Sequence, residues 1–316
     1  MKTETTWILL LNYNGHKDTC ECIETLFASN LKLFHILIID NASTDNSLIN
    51  IDNWLESKDI ESSKVSYTAS SEMFRTTSDS ISNIALISSD FNNGYASGNN
   101  IGMKYLLKHA SKKDFIWILN NDTLVRPDTL ENMINSYHQL ENDGVALLGS
   151  RILNEDLSLQ SIGDVVQNKN VKNEDNLEVE HICGCSIFFR VENFDSIGFL
   201  PEDYFLYYEE TDWMKSIRQK GLKIFTSLKS EVIHKHAKST GGAYSPLVLY
   251  YMTRNQILFH RKYSKGFTYI FIMLKLFFRN ILRVFYYFFK DVKLSKPIFK
   301  GTIDGIMNIK GKQKIS

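Results

Sequence analysis

At 316 residues, with 43% apolar and 23% charged residues, the chain is long enough to bury the core of one large domain plus an appendage. Its 36 Lys and Arg balance 36 Asp and Glu, which argues against nucleic acid as a partner. The balance is uneven, with acids gathered between Glu155 and Glu180 and between Glu202 and Asp212, and bases dominant from Lys215 onward. The four cysteines form two Cys-x-Cys pairs, Cys20/Cys22 and Cys183/Cys185, a spacing that fits neither a usual zinc motif nor a secreted disulfide framework. They are expected to be free thiols in a reducing compartment. The N-terminus lacks the apolar core of a signal peptide, so the chain is expected in the cytoplasm.

Apolar runs alternate with amphipathic ones. Trp7–Leu11 reads as a buried strand, His16–Ser29 as a helix, and His35–Ile39 as a second strand ending at Asp40. In Asn41-Ala-Ser-Thr-Asp45 a side chain of Ser43, Thr44 or Asp45 is expected to cap a helix starting near Asn46. A polar stretch, Glu56–Asn83, has no clear period and reads as an inserted loop. Asn83–Ser88 reads as a third strand, Asn99–Ala110 as a helix and Phe115–Leu119 as a fourth strand, and Gln167–Glu180 as a surface excursion or hairpin tip. This alternation predicts an α/β fold with a mainly parallel sheet, whose ligands collect at the carboxyl ends of the strands. Polar residues stand at those ends: Asn12 and Asn14, Asp40 and Asn41, Asp90 and Asn92, and Asp122.

Three segments carry chemistry. Asn120-Asn-Asp122 directly follows a buried strand, a good place to hold a divalent cation over a diphosphate, although an ordinary Asn/Asp turn has the same composition. Asn92–Gly102 spaces three glycines among small residues just before a helix, which lets backbone approach an anionic ligand closely. It matches neither the dinucleotide-binding fingerprint nor the Lys-bearing phosphate loop, which disfavours a dehydrogenase or an ATPase. In Phe205–Trp213, Glu209, Glu210 and Asp212 are expected just ahead of a helix over Trp213–Lys220, with Thr211 or Asp212 as its cap and neighbouring rings that desolvate a carboxylate. Downstream, His234 and His236 would share one face of an extended segment, as a metal or phosphate site needs, while a surface histidine is the plainer reading of His236.

Taken together, Leu11–Asn14, Ile39–Asp45, Asn92–Gly102, Leu119–Thr123, Tyr207–Trp213 and Thr253–Asn255 resemble, in this order, the motifs of glycosyltransferase family 2, in particular its rhamnosyltransferase-like branch. The resemblance runs from about Trp7 to His260 and implies a GT-A fold over residues 1–245 followed by a helical region over 246–316. It assigns Asn12, Tyr13, Asn14, Asp40 and Asn41 to the nucleotide. The glycine loop, with Asn92, Gly94, Tyr95, Gly98, Asn99 and Asn100, would pack against nucleotide and donor sugar, with Asn121 beside them. Asp122 would bind Mg²⁺ or Mn²⁺ bridging the diphosphate, with His234 as a neutral ligand to the metal or a donor to the diphosphate, and Arg254 neutralising phosphate or, equally, making a structural salt bridge. Where many relatives carry Asp at the first position of the Asp-x-Asp motif this chain has Asn120, one anionic ligand fewer. At the position of the family's catalytic base it has Glu210, with Glu209 as the substitute. The implied reaction is inverting transfer from a nucleoside-diphosphate sugar, dTDP-rhamnose or a UDP-hexose, to a saccharide or lipid-linked acceptor in surface polysaccharide synthesis. A catalytically weak nucleotide-sugar-binding scaffold is the alternative that Asn120 and Glu210 keep open.

Phe267–Phe289 has the length to cross a bilayer, but Lys275, Arg279 and Arg283 recur every four residues along one stripe. The expectation is an interfacial helix on the inner membrane surface with its basic stripe toward the headgroups, or else a helix packed on the catalytic domain or in a homodimer.

Overall fold

The computed structural model describes residues 4–76, 82–165, 175–235 and 245–315. In chain order its elements are β1 (Thr6–Asn12), α1 (His16–Phe27), β2 (Phe34–Asp40), α2 (Ser47–Ser57), β3 (Ser62–Thr68), β4 (Met73–Thr76), β5 (Ile84–Ser89), α3 (Tyr95–His109), β6 (Phe115–Asn120), β7 (Thr123–Val125), α4 (Thr129–Leu140), β8 (Val145–Leu153), β9 (Leu159–Ser161), β10 (Asp164–Val165), β11 (Asn176–His181), β12 (Ser186–Arg190), α5 (Phe194–Ile197), α6 (Glu209–Gln219), β13 (Lys223–His234), α7 (Pro246–Tyr263), α8 (Gly266–Lys290) and α9 (Val292–Ile306). They fold as two compact units, one drawn from residues 1–92, 97–200 and 213–236, the other from 93–96, 201–212 and 237–316.

The first unit is an α/β sheet in the order β10-β11-β13-β8-β12-β6-β1-β2-β5-β3-β4. From β6 through β1, β2 and β5 to β3 the strands run parallel. Beyond β6 the sheet turns mixed, because β12 runs antiparallel to both β6 and β8. The central strands are near-continuous apolar runs because helices cover both faces, and Ile8, Leu9, Leu10, Leu37, Ile38, Phe115 and Trp117 are all buried. Pairing in register, Asn12 opposite Asp40 and Leu11 opposite Asn120, ends β1, β2 and β6 together and lines up their polar termini.

Several elements depart from the sequence reading. The polar stretch after Glu56 is not a loop throughout: β3 pairs parallel with β5, and β4 turns back along β3. Only Ser63, Val65 and Tyr67 of β3 face inward, so the segment buries too few apolar side chains to stand out by composition. Residues 77–81, 166–174 and 236–244 lie outside the described residues, and with them His236 and most of the expected 167–180 excursion. That excursion's C-terminal end is β11, antiparallel to β10. α3 starts at Tyr95 rather than Asn99, which places Gly98 and Gly102 inside the helix. A Cβ at Gly98 would lie 2.4 Å from Leu11 Cδ1 and one at Gly102 would lie 2.2 Å from Leu9 Cδ1. These glycines let α3 close onto β1, a packing role in place of the expected ligand cradle. The N-cap of α2 is Asn46, without a side-chain cap bond, so none of Ser43, Thr44 and Asp45 caps the helix as expected; Asp45 Oδ1 instead accepts from Ser47 N at 2.9 Å, closing the turn that leads into it.

In the second unit α7 packs against α9, and α9 against α8. Ser245 caps α7, its hydroxyl accepting from Val248 N at 3.3 Å, with Pro246 in the first turn. Two of the three cations of the α8 stripe, Arg279 and Arg283, point the other way from the expectation, while Lys275 is exposed. Arg279 donates to Gln256 Oε1 at 2.6 Å and Arg283 to Thr253 Oγ1 at 3.4 Å, so both guanidinium groups turn in to α7, where polar partners are available. The outward side is apolar: Phe267 is 92% exposed, and Phe271, Phe278, Leu282, Phe285 and Phe289 are exposed with it. Among the described residues no helix is long and apolar enough to cross a membrane.

Gly102→Ala tests the packing role of α3. Leu9 is fully buried and its Cγ and both Cδ atoms stand within 3.1 Å of the added methyl, so overpacking outweighs the gain in helix propensity. Urea denaturation should show a loss of about 1–3 kcal/mol; no loss would mean that the helix has room to spare.

Candidate active site

In the first unit the site is built on the aligned strand ends. Asp40 is buried, and a buried carboxylate needs partners. Asn12 Nδ2 donates to its Oδ1 at 2.7 Å, Ser43 Oγ to the same oxygen at 2.6 Å, and Ser43 N to Oδ2 at 3.0 Å. The carboxamide of Asn12 accepts from Thr19 Oγ1 at 2.9 Å, and Asn121 Nδ2 donates to Thr19 Oγ1 at 2.9 Å. One continuous network therefore joins the end of β2, the end of β1, the first turns of α1 and the β6–β7 turn. Asn41 donates to Asn92 Oδ1 at 3.3 Å, Asn14 sits at φ 54° with Oδ1 accepting from Thr44 N at 2.8 Å, and Tyr13 is exposed. Ser43, raised in the sequence only as a possible cap, and Thr19 are network members whose roles there depend on which loops meet.

Asp122 follows this network by one residue. β7 pairs antiparallel with β13, His234 opposite Thr123, and Lys235 N donates to Asp122 O at 3.0 Å. Both ladders bring His234 Nε2 to 3.4 Å from Asp122 Oδ1. Burial pushes the His234 imidazole down, but hydrogen bonding and the charge of Asp122 outweigh it and the net shift is upward. A carboxylate oxygen and an imidazole nitrogen side by side are a donor set suited to a divalent cation.

The second unit presents the acids. α6 begins at Glu209, not Trp213, so Glu209, Glu210 and Asp212 occupy its first turn. The expected capping residues are thus inside the helix. The chain enters it through Phe205, Tyr207 and Tyr208 at φ 68°, 68° and 80°, a left-handed backbone costing about 1–3 kcal/mol per residue. Asn255 holds this turn: its Nδ2 lies 3.2 Å from Tyr204 O, 2.8 Å from Leu206 O and 2.8 Å from Tyr207 O. The turn also leaves no room at Gly94, where a Cβ would lie 1.9 Å from Phe205 O, and Tyr95 N donates to that carbonyl at 3.0 Å.

Arg254 takes a structural role, with carbonyls in place of the carboxylate of a salt bridge. It is 0% exposed, with Nη2 on Tyr204 O at 2.7 Å, Nη1 on Gly311 O at 2.6 Å and Nε on Asn255 Oδ1 at 2.9 Å, and it stacks on Tyr251. With two nitrogens on backbone carbonyls and the third on the Asn255 side chain, it clamps the aromatic turn. In α3, Asn100 is likewise structural, its carboxamide bracketing Leu200 N and O at 3.0 and 2.9 Å, and Asn99 is buried.

The acids divide by environment. Asp212 is saturated by Lys262 at 2.7 and 2.8 Å, Tyr204 Oη at 2.7 Å and Tyr263 Oη at 2.5 Å. Glu209 is 1% exposed and neither carboxyl oxygen has a hydrogen-bond partner among the described residues. Burial, then the charge of Glu210, pushes its carboxyl well above the usual range, with Arg254 only partly offsetting them. Glu210 is half-buried and accepts from Thr211 Oγ1 at 3.4 Å. Glu210 is therefore the more accessible of the two glutamates and Glu209 the desolvated one.

The model of the family described as "Glycosyl transferase family 2" matches residues 7–198, more than half of the chain. The chain belongs to glycosyltransferase family 2. This glycosyltransferase is 24% identical to the low-salt glycan biosynthesis hexosyltransferase Agl10 of Haloferax volcanii over 96% of its own length and 92% of the relative's. Its fold is the GT-A type of two solved structures. They are GalNAc-T7 with UDP, GalNAc and Mn²⁺ (12% identity, TM-score 0.59, 85% of this chain) and the mannosyltransferase PcManGT of Pyrobaculum calidifontis with GDP-Man and Mn²⁺ (11% identity, TM-score 0.56, 96% of this chain and 88% of that one). The chain spans about half the length of GalNAc-T7, 52%.

The raised Glu209 has a consequence for stability. Because its folded value lies above its unfolded one, near 4.3, the folded state holds an extra proton, and stability present at acid pH is lost as pH rises from that value toward the folded one. In urea titrations across this window the parent should lose stability relative to Glu209→Gln, by at most about 1.4 kcal/mol per pH unit. Parallel pH profiles would contradict the assignment.

Proposed function

We propose that this glycosyltransferase moves a hexosyl or 6-deoxyhexosyl unit, with inversion, from a nucleoside-diphosphate sugar to a saccharide acceptor carried on a lipid. The observation that carries the reading is the pairing of Asp122 with His234, which provides the donors for Mn²⁺ or Mg²⁺. When bound, such a cation neutralises negative charge developing on the departing diphosphate. The Asp40–Asn12–Ser43 cluster offers the ribose and base a fixed polar edge, with Tyr13, Asn14, Asn41, Asn92 and Asn121 around it. Glu210 takes the proton of the acceptor hydroxyl as its oxygen bonds the anomeric carbon, while the carbon–oxygen bond to the diphosphate breaks and leaves its electrons on the phosphate oxygen. Burial and the neighbouring Glu210 push the Glu209 carboxyl up, which favours its neutral form beside that base.

The donors named for the solved neighbours, UDP with GalNAc and GDP-Man, agree with a UDP- or GDP-hexose, and dTDP-rhamnose fits the same chemistry. The relative's role in glycan biosynthesis agrees with a saccharide acceptor. The outward apolar face of α8 agrees with an acceptor on a lipid. Phe267, Phe271, Phe278, Leu282, Phe285 and Phe289 would lie in the acyl boundary of the inner leaflet, and the exposed Lys265, Lys275, Lys290 and Lys293 would reach its anionic headgroups.

The test is nucleoside-diphosphate release from a panel of UDP-, GDP- and dTDP-sugars by the full chain with Mn²⁺ or Mg²⁺ and a lipid-linked acceptor extract. One donor should turn over, with kcat reduced about 10²–10⁴-fold by Glu210→Gln and about 10²–10³-fold by Asp122→Ala. Nucleotide binding without turnover of any donor would favour a scaffold instead.

A further inference from the structure

The thiols of Cys183 and Cys185 have no part in the chemistry just described, yet the fold delivers them to His234. Cys185 leads into β12, its carbonyl accepting from Asn120 N at 2.9 Å, and Cys183 O accepts from Ser186 N at 3.3 Å. The strand β13 brings His234 to the same place, and the sulfur atoms of both cysteines and a ring nitrogen of His234 all lie within 4.8 Å of one another. We infer that Cys183, Cys185 and His234 form a soft-metal site that takes Zn²⁺ or another thiophilic divalent cation. A tetrahedral zinc ion with ligands at about 2.0–2.3 Å spaces its donor atoms roughly 3.3–3.8 Å apart, so closure by about 1 Å, within reach of side-chain rotation, completes the set. Spacing within the sequence conceals the site, because the third ligand comes from another strand.

The surroundings supply a fourth ligand and an orienting partner. Asp122 Oδ1 is 3.4 Å from His234 Nε2. Gln160 Nε2 stands 3.3 Å from His234 Nδ1, while Gln160 Oε1 is buried with no partner among the described residues. Turning that carboxamide by half a rotation places the orphaned oxygen where it accepts from Nδ1–H, leaving the Nε2 lone pair for a metal. The other pair offers no such set: on α1, Cys22 Sγ contacts Asn120 O and Thr123 Oγ1, and no His, Asp or Glu completes a cluster with it among the described residues. On binding, each thiol of the 183/185 pair gives its proton to solvent as its sulfur–metal bond forms, and no electrons change hands. His234 and Asp122 would then be contested by a soft cation held together with the thiolates and a hard one held without them. The competition this sets up rests on the proposed function, whereas the binding site does not.

Titration of the metal-free full chain with Co²⁺, a spectroscopic stand-in for Zn²⁺, tests the site without any donor sugar. A thiolate-to-cobalt charge-transfer absorption should grow to one equivalent, vanish on adding Zn²⁺, be lost in Cys183→Ser and in Cys185→Ser, and survive in a Cys20→Ser/Cys22→Ser variant. In the unsubstituted chain, Zn²⁺ should shield Cys183 from alkylation, read by peptide mass, which covers the case of a variant that fails to fold. No absorption, or one that follows Cys20 and Cys22, overturns the inference. In the turnover assay Zn²⁺ should inhibit the parent and not Cys183→Ser; equal inhibition of both would overturn the shared-ligand half alone.

Discussion

A buried carboxylate at the end of a parallel strand has to be stabilised by hydrogen bonds, and the way Asp40 is satisfied organises the strand-end loops of the first unit. Its partners are Asn12 and Ser43, and Asn12 in turn is held by Thr19, which also receives Asn121. Leaving any of these groups unpaired would cost about 1–3 kcal/mol, so the loops after β1, β2 and β6 cannot move independently. Asp122 inherits its position from that network on one side and from the β7–β13 ladder on the other. The placement of the Asp122–His234 pair thus depends on hydrogen bonds several residues away.

The second unit solves a different problem with the same means. Presenting Glu209 and Glu210 in the first turn of α6 requires a tight approach through three left-handed aromatic residues, an arrangement that is unstable by itself. Arg254 and Asn255 hold its carbonyls from α7. Strain at the turn and full engagement of these two side chains belong together. The outcome is a pair of adjacent glutamates in opposite surroundings, one fully buried and one half-exposed.

Much of this could be read from the chain itself. The central strands were legible because burial on both faces writes continuous apolar runs, and Asn12, Asp40 and Asp122 stood out as polar residues closing those runs. The edge strand β3 was not legible, since a strand that buries only Ser63, Val65 and Tyr67 looks like a polar loop. Gly98 and Gly102 looked like a ligand cradle because glycine signals close approach without saying of what, and the partner proved to be β1. Arg254 stayed open between a phosphate and a structural role for a related reason: a cation suggests an anion, but carbonyl oxygens of a strained turn satisfy it equally well. On α8 the inward turn of Arg279 and Arg283 was not legible, because periodicity defines a face and only tertiary partners such as Gln256 and Thr253 decide which way a side chain on it turns.

Calorimetric titration of UDP, GDP and dTDP into the full chain, with and without Mn²⁺, bears most directly on the claim that strand-end polar groups and the Asp122–His234 pair together form a nucleoside-diphosphate site. One nucleotide should bind, with affinity raised about tenfold or more by Mn²⁺. Asp122→Ala should erase that metal increment, and Asp40→Asn should weaken binding whether or not metal is present. Binding that ignores Mn²⁺ and both substitutions would contradict the account.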